Sequence, residues 1–226
     1  MKKKKYALNN SYFKNRVHTD PSTPYEVMEY LEEHGELPFD YHGENWMYDC
    51  YVEYQKRGKV FHAQFFTPDR TADRMAEIAN DAFTEEGAHV LDACCGFGQL
   101  TRPLTTLGFI VHGFDASCEM VKMYGYNTSC LAEQCDFRSY EEKWQNIIAN
   151  PPYEIKDLTD FLCWLHLSLE DNGVAILLIP DGFIDKERPK ATAEAISRFR
   201  ILHREPMTEE FARTKTRAEI VVLEKA

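Results

Sequence analysis

Apolar runs of strand length recur from about residue 60 onwards, and each is followed by turn residues and then by a helix-like segment. Four of these runs are HVLDACC, FIVHGFD, QNIIAN and NGVAILLIP, at residues 89–95, 109–115, 145–150 and 172–180. Strands that alternate with helices typically form a parallel sheet that is covered on both faces. The pattern therefore predicts an α/β fold.

The end of the chain departs from this alternation. RFRILHRE (198–205) and AEIVVLEKA (218–226) are strand-like and are joined by a short polar segment with no helix between them. A short connection of this kind joins antiparallel neighbours. We therefore expect a terminal hairpin, with the last strand antiparallel to the others.

The first 59 residues lack the strand pattern. STPYEVMEYLEEHG (22–35) begins with helix-capping residues and ends at a glycine, and ENWMYDCYVEYQKRG (44–58) is a second, aromatic-rich helical candidate. The predicted organisation is a flexible basic tail at 1–20, a small helical extension at 21–59 and the α/β domain at 60–226.

Composition fits a single α/β domain with an appendage. The 226 residues are 44% hydrophobic and 28% charged, as in ordinary globular proteins. No apolar run is long enough to cross a bilayer, and the four lysines after Met1 precede polar residues rather than a signal-peptide core. The seven cysteines include no paired CxxC zinc pattern, so we expect reduced thiols, no metal site and a cytoplasmic location.

The charge is acidic and unevenly distributed. A net charge of −11 argues against a protein that grips nucleic acid with its whole surface. Residues 1–19 nevertheless carry six basic and no acidic side chains, whereas residues 21–60 carry nine acidic and three basic ones. The lysine run is predicted to be a solvated tail, and an arm that seeks phosphates is the other interpretation.

A glycine-containing turn follows the first predicted strand. In HVLDACCGFGQLT, Asp92 precedes Gly96 and Gly98, whose freedom of backbone conformation lets the chain approach a ligand closely. Asp115 ends the next strand, where a carboxylate can meet ribose hydroxyls, and Asp136 follows the third strand. The spacing is not GxGxxG and no Lys-Ser/Thr follows, which disfavours dinucleotide and P-loop sites.

A stiff segment follows the strand that ends at residue 149. Asn150 is followed by Pro151, Pro152 and Tyr153, and neither proline can donate to a sheet ladder. One interpretation is a turn that ends the strand. The other is a rigid finger that presents an amide and an aromatic ring to a flat, polar ligand.

The order of these motifs resembles one enzyme family. AQFFTP (63–68), LDACCGFG (91–98), the acidic strand end, CDF (135–137) and NPPY (150–153) follow each other as in S-adenosylmethionine-dependent adenine-N6 methyltransferases whose FxTP motif precedes the glycine turn. Modification subunits of restriction systems are the most similar. The resemblance covers residues 60–226 and implies a Rossmann-like class I methyltransferase with a mostly parallel seven-stranded sheet.

The resemblance implies a cofactor site for S-adenosylmethionine. Thr67 would hold the methionine carboxylate, Asp115 the ribose, and Asp136 with Phe137 the adenine. The full set of implied cofactor residues is Phe66, Thr67, Asp92, Ala93, Gly96, Gly98, Asp115, Asp136, Phe137 and Asn150. Two small-for-small departures from the family pattern are Ala63, where GQFFTP has glycine, and the pair Cys94-Cys95.

The resemblance also implies the catalytic roles. The Asn150 side-chain oxygen and the Pro151 carbonyl would accept hydrogen bonds from the adenine amine, Pro152 would help to fix the geometry, and Tyr153 would stack on the base. Phe211 would pack on the other face of that base, or else pack in the core or the loop. Arg213, Lys215 and Arg217 alternate behind it and would meet phosphates, or else protect a sheet edge.

The motifs are also compatible with other functions. NPPY also occurs in glutamine methyltransferases and some RNA methyltransferases, although its pairing with QFFTP favours DNA over RNA as the partner. A cofactor-binding scaffold is a third interpretation, with residues 21–60 as its docking surface. The catalytic pattern uses residues up to the last strand, so we expect target recognition to come from a homodimer or a protein partner.

Overall fold

The computed structural model describes residues 66–83, 88–207, 209, 211 and 216–226. The chain divides into two units, Met1–Ala63 and Gln64–Ala226, and the described residues all belong to the second. The basic tail and the two predicted N-terminal helices lie outside the described residues, as do Arg213 and Lys215.

The described part of the chain forms a seven-stranded sheet with the order β3-β2-β1-β4-β5-β7-β6. The strands are β1 His89–Ala93, β2 Ile110–Asp115, β3 Ala132–Gln134, β4 Trp144–Ala149, β5 Leu169–Pro180, β6 Phe199–Pro206 and β7 Ala218–Lys225. The helices are α1 Asp69–Ala82, α2 Thr101–Thr106, α3 Cys118–Thr128, α4 Ile155–Ser168 and α5 Lys190–Ile196, with a 3₁₀ turn at Phe137–Ser139.

The strand directions follow the expectation from the sequence. Neighbouring strands from β3 to β5 pair in parallel, whereas β7 lies antiparallel between β5 and β6. The predicted α/β class, the mostly parallel sheet and the antiparallel last strand are confirmed. No helix in the described ranges combines the length and the apolar character that a membrane crossing requires.

Side chains along the central strands alternate between the two faces of the sheet, and both faces are buried. In β4, Ile147 and Ala149 face one hydrophobic cluster, whereas Ile148 between them faces the other. Helix α4 covers the first cluster and helix α1 covers the second. Because side chains of a strand point alternately to opposite faces, a strand covered on both sides must be apolar at every position. This explains the uninterrupted apolar runs in the sequence.

The strand order reverses direction at β1, which lies between β2 and β4. In open α/β sheets, the crevice outside the carboxyl ends of the strands at such a point is where ligands bind. The last residues of these two strands, Ala93 and Ala149, are partners in the sheet register. The glycine turn after β1 and the NPPY segment after β4 are therefore brought side by side.

Candidate active site

The turn after β1 has a backbone that only certain residues tolerate. Cys94, Gly96 and Gly98 all have positive φ angles, of 59°, 53° and 82°. A Cβ atom added at Gly98 would lie 2.2 Å from the Cγ2 atom of Thr128, so no other residue fits there without displacement. The turn is tied to β2 by the Cys95 N–H, which donates to the Phe114 carbonyl at 2.9 Å.

Asp115 organises the turn from the end of β2. Its Oδ2 atom accepts a hydrogen bond from the Gly96 N–H at 3.0 Å, and its Oδ1 atom accepts one from the Ser117 N–H at 2.9 Å. The carboxylate is buried, with 7% of the residue exposed. The prediction that the glycine turn and this aspartate belong to one site therefore agrees with the geometry, although contact with a ribose stays a prediction.

Asn150 connects the end of β4 to the QFFTP segment. Its Nδ2 atom donates a hydrogen bond to the Thr67 Oγ1 atom at 3.2 Å. Thr67 is buried, and it immediately precedes Pro68, the N-cap residue of α1. Two motifs that are 83 residues apart in the sequence thus meet through their side chains.

Phe66, which the resemblance assigns to the cofactor site, stacks on Phe97 of the turn, a residue that the sequence reasoning did not identify. The rings of Phe66 and Phe97 stack with a centroid distance of 4.6 Å and an interplanar angle of 10°. A Cβ atom at Gly96 would lie 3.6 Å from the Phe66 ring. The sequence does carry a signal for both rings, since Phe97 lies between the two glycines and Phe66 lies within QFFTP.

Tyr153 and Phe211, predicted to hold a target base between them, contact each other directly. Their ring centroids are 5.9 Å apart and the rings meet edge to face at 75°. Burial raises the pKa of the Tyr153 hydroxyl. A base between two rings needs two stacking gaps of roughly 3.5 Å each. The rings would therefore have to separate to take a base between them.

Asp136 and Phe137 have different surroundings from those of a simple adenine clamp. The Phe137 ring is buried in the core against Phe161, with the Arg138 guanidinium over its face at 4.3 Å from the centroid. Asp136 is exposed and forms an ion pair with Arg138, which also pairs with Asp157 at 2.6 Å. Contact of both residues with adenine stays a prediction, and Arg138 is a neighbour that sequence reasoning missed.

Asp92 is held inside the protein. It has no exposed surface, and its Oδ2 atom accepts a hydrogen bond from the Thr101 hydroxyl at 2.6 Å. That hydroxyl also lies 2.9 Å from the Tyr124 hydroxyl, and the Tyr124 ring fills the space that Gly113 leaves open. Thr101, Tyr124 and Gly113 were not identified from the sequence. The network gives Asp92 a structural contact, and its predicted contact with the cofactor stays a prediction.

Asp92 is expected to make stability depend on pH. Burial, with a smaller contribution from the Asp115 charge, raises the pKa of its carboxyl to about 8, whereas the unfolded chain releases this proton near pH 4. The stabilising contribution is therefore fully present below about pH 4 and is lost as the pH rises through about 8.

Asp92→Asn removes this titration and retains an oxygen that can accept from Thr101. We expect wild-type protein to lose about 2 kcal/mol of unfolding free energy between pH 6 and pH 8 through this group, and the variant not to lose it. Urea denaturation at both pH values measures the difference. An equal loss in the two proteins would contradict the prediction.

Arg217 lies exposed at the same edge of the sheet, just before β7. Its carbonyl accepts a hydrogen bond from the Asp181 N–H at 3.0 Å, which ties the start of β7 to the end of β5. Of the three cations predicted to meet phosphates, this is the one that the described residues include. Its contact with phosphate stays a prediction.

Comparison with known proteins identifies the class of this site. A family model described as "Methyltransferase domain" matches residues 61–211. A search of curated proteins found no significant match. The magnesium protoporphyrin IX methyltransferase of Synechocystis PCC 6803, solved with bound S-adenosylmethionine, is similar with a TM-score of 0.57 and 17% identity over 94% of this chain and 100% of that one.

Two further solved structures are similar in fold. A candidate RNA methyltransferase from Pyrococcus horikoshii has a TM-score of 0.61 and 19% identity, over 72% of this chain and 87% of its own. A type I restriction-modification methyltransferase subunit from Streptococcus thermophilus has a TM-score of 0.60 and 19% identity, over 88% of this chain and 53% of its own. This chain therefore spans about half the length of that subunit. The fold is that of class I methyltransferases, and S-adenosylmethionine is confirmed as the cofactor.

Proposed function

The chain belongs to the methyltransferase domain family, and on that premise we propose that it methylates the exocyclic N6 amine of adenine in DNA. One observation carries the proposal: the Asn150 carboxamide follows β4 directly beside the glycine turn and is hydrogen-bonded to Thr67 of QFFTP. By the resemblance, the pairing of those two motifs favours an adenine-N6 methyltransferase of DNA over other NPPY enzymes.

The residues around the turn fit S-adenosylmethionine, which supplies an electrophilic methyl group. The positive φ angles of Gly96 and Gly98 bring the backbone close to the crevice. The Asp115 carboxylate, already fixed by two backbone N–H groups, supplies acceptors suited to ribose hydroxyls. Asp136 is exposed at the end of β3 and supplies an acceptor suited to the amino group of adenine.

The acceptor amine needs alignment more than it needs a strong base. Its lone pair is delocalised into the ring, so hydrogen bonds from its N–H groups to Asn150 Oδ1 and the Pro151 carbonyl favour a more tetrahedral and more nucleophilic nitrogen. The two prolines restrict the backbone that presents both acceptors. Positioning and preorganised dipoles can then supply much of the rate enhancement.

A base within a duplex cannot reach a crevice of this kind and must be turned out of the stack. Tyr153 lies on the NPPY segment, and Phe211 lies on the connection between β6 and β7, where it is buried in the hydrophobic cluster that Tyr153 packs against. We propose that the two rings separate and enclose the base, so that stacking offsets part of the cost of unpairing it.

The proposed layout places catalysis in residues 60–226 and gives residues 21–59 a covering or docking role. Because a net charge of −11 disfavours extensive contact with nucleic acid, we propose that a partner protein or a second copy contributes target recognition.

The choice of acceptor is tested by offering three acceptors in parallel. Purified protein and tritiated S-adenosylmethionine are incubated with unmethylated DNA, with total RNA and with a protein extract. We expect label in DNA. Label confined to RNA or to protein would favour the corresponding alternative, and the absence of label from all three would favour a scaffold.

DNA methylation by this chain is expected to be weak and to fall steeply with salt. The net charge is −11, and three phosphate contacts would give a loss of about 40-fold between 50 and 200 mM salt. Arg217→Gln should reduce the slope of log DNA affinity against log salt concentration by about one. Arg198→Gln, which removes the same charge just before β6 at the opposite edge of the sheet, is the control. Equal slopes for the two variants would contradict a phosphate contact at Arg217.

A further inference from the structure

The hydrogen bond between Thr67 and Asn150 has a chemical direction. A carboxamide has a donor end, the NH2 group, and an acceptor end, the oxygen. The Nδ2 atom of Asn150 donates to Thr67 Oγ1 at 3.2 Å, and the oxygen Oδ1 branches from the same carbon away from Thr67. A methylated amine must donate its N–H to an acceptor, so it requires the oxygen end.

We infer that Thr67 is a positioning residue, which fixes the plane of the Asn150 amide and turns its oxygen toward the acceptor amine. The inference rests on the proposed function and deepens it. It differs from the role that the resemblance implies for Thr67, which is to hold the methionine carboxylate of the cofactor.

Both ends of the hydrogen bond are anchored to one core. Thr67 is 5% exposed and is followed by Pro68, whose carbonyl accepts from the Ala72 N–H and so joins it to the first turn of α1. Helix α1 buries Met75 in the same hydrophobic cluster that contains Ile148, two residues before Asn150. A shared core keeps the hydroxyl and the amide at a fixed separation.

A second contact fixes α1 relative to the far side of the sheet. Arg74 donates from Nε to Glu205 Oε1 at 2.7 Å and from an Nη atom to Glu205 Oε2 at 2.8 Å. This two-pronged pair joins α1 to β6, and such paired contacts add geometric specificity. Helix α1, whose first turn follows Thr67, is thereby tied to β6 as well as to the core.

The test compares Thr67→Val, which keeps the shape and removes the hydroxyl, with Thr67→Ser, which keeps the hydroxyl. Thr71→Val is the matched control, because Thr71 is equally buried on α1 and its hydroxyl has no hydrogen-bond partner within the described residues. The measurements are kcat for DNA methylation, Kd for S-adenosylmethionine by calorimetry, and thermal stability of each variant.

We expect Thr67→Val to lower kcat by about three- to tenfold, with Kd for the cofactor changed less than kcat. Thr67→Ser should restore most of kcat, and Thr71→Val should leave it unchanged. A weaker Kd with kcat retained would make Thr67 a cofactor ligand and would overturn the inference, as would an unchanged kcat or an equal loss in the serine variant. Absence of turnover in the wild-type protein would instead refute the proposed function.

Discussion

Asn150→Ala is expected to lower methyl transfer by about 100-fold or more while S-adenosylmethionine still binds. The carboxamide is the acceptor that we propose for the target amine, whereas the glycine turn and Asp115 are held by their own hydrogen bonds from β1 and β2. Loss of the amide therefore removes the alignment of the amine and leaves the cofactor crevice in place. Single-turnover transfer and calorimetry on the same preparation separate the two effects.

Asn146→Ala is the matched control for this change. Asn146 lies on β4, the strand that Asn150 follows. It is buried and donates from Nδ2 to the His89 carbonyl at 3.3 Å near the other edge of the sheet. We expect this variant to lose some stability and to retain transfer. Substantial turnover in Asn150→Ala would show that the proposed role of NPPY is wrong.

Asp115→Ala is expected to weaken S-adenosylmethionine binding by roughly 10- to 100-fold. The carboxylate accepts from the N–H groups of Gly96 and Ser117 at 3.0 and 2.9 Å. Its removal loosens the turn on one side and the start of α3 on the other, and it also removes the proposed ribose acceptor. Isothermal titration calorimetry with purified protein measures the change in Kd.

Asp171→Ala provides the comparison for the loss of one negative charge. Asp171 lies in β5 near the amino-terminal edge of the sheet, and its side chain is 98% exposed. We expect cofactor affinity to be unchanged in this variant. If both aspartate variants bound the cofactor as tightly as wild type, Asp115 would have no part in the cofactor site.

The sheet was predictable because each strand is covered on both faces and leaves an uninterrupted apolar run in the sequence. β2 at Ile110–Asp115 and β4 at Trp144–Ala149 each begin within a residue of the predicted run. β5 begins at Leu169, three residues before its predicted run, because the polar Glu170 and Asp171 follow Leu169 and interrupt the apolar pattern. The terminal hairpin was also predictable, since a short connection leaves an antiparallel arrangement as the simplest one.

The orientation of individual side chains at the strand ends was harder to predict from the sequence. Asp92 shares a face with Val90, so strand alternation directs it into the protein, where Thr101 and Tyr124 meet it. Neither partner belongs to a recognisable motif. Phe137 follows an exposed aspartate, but the 3₁₀ turn at Phe137–Ser139 directs its ring into the core. Such orientations depend on tertiary contacts that a local pattern does not encode.

The contacts between distant motifs were also predictable only in part. The sequence predicted that Tyr153 and Phe211 would belong to one site, and the two rings do touch. It did not predict that they would meet edge to face, because the separation of the two rings depends on how the segments after β4 and before β7 pack on the core. The hydrogen bond from Asn150 to Thr67 was equally hidden, although both residues had been assigned to the site.

The central claim is that this crevice methylates the N6 amine of adenine in DNA, and the most direct measurement is the chemical identity of the product. Unmethylated DNA is incubated with purified protein and S-adenosylmethionine that carries a deuterated methyl group, then digested to nucleosides and analysed by mass spectrometry. We predict deuterated N6-methyldeoxyadenosine with wild-type protein and almost none with Asn150→Ala. Deuterium on another base, or equal labelling by the two proteins, would contradict the account.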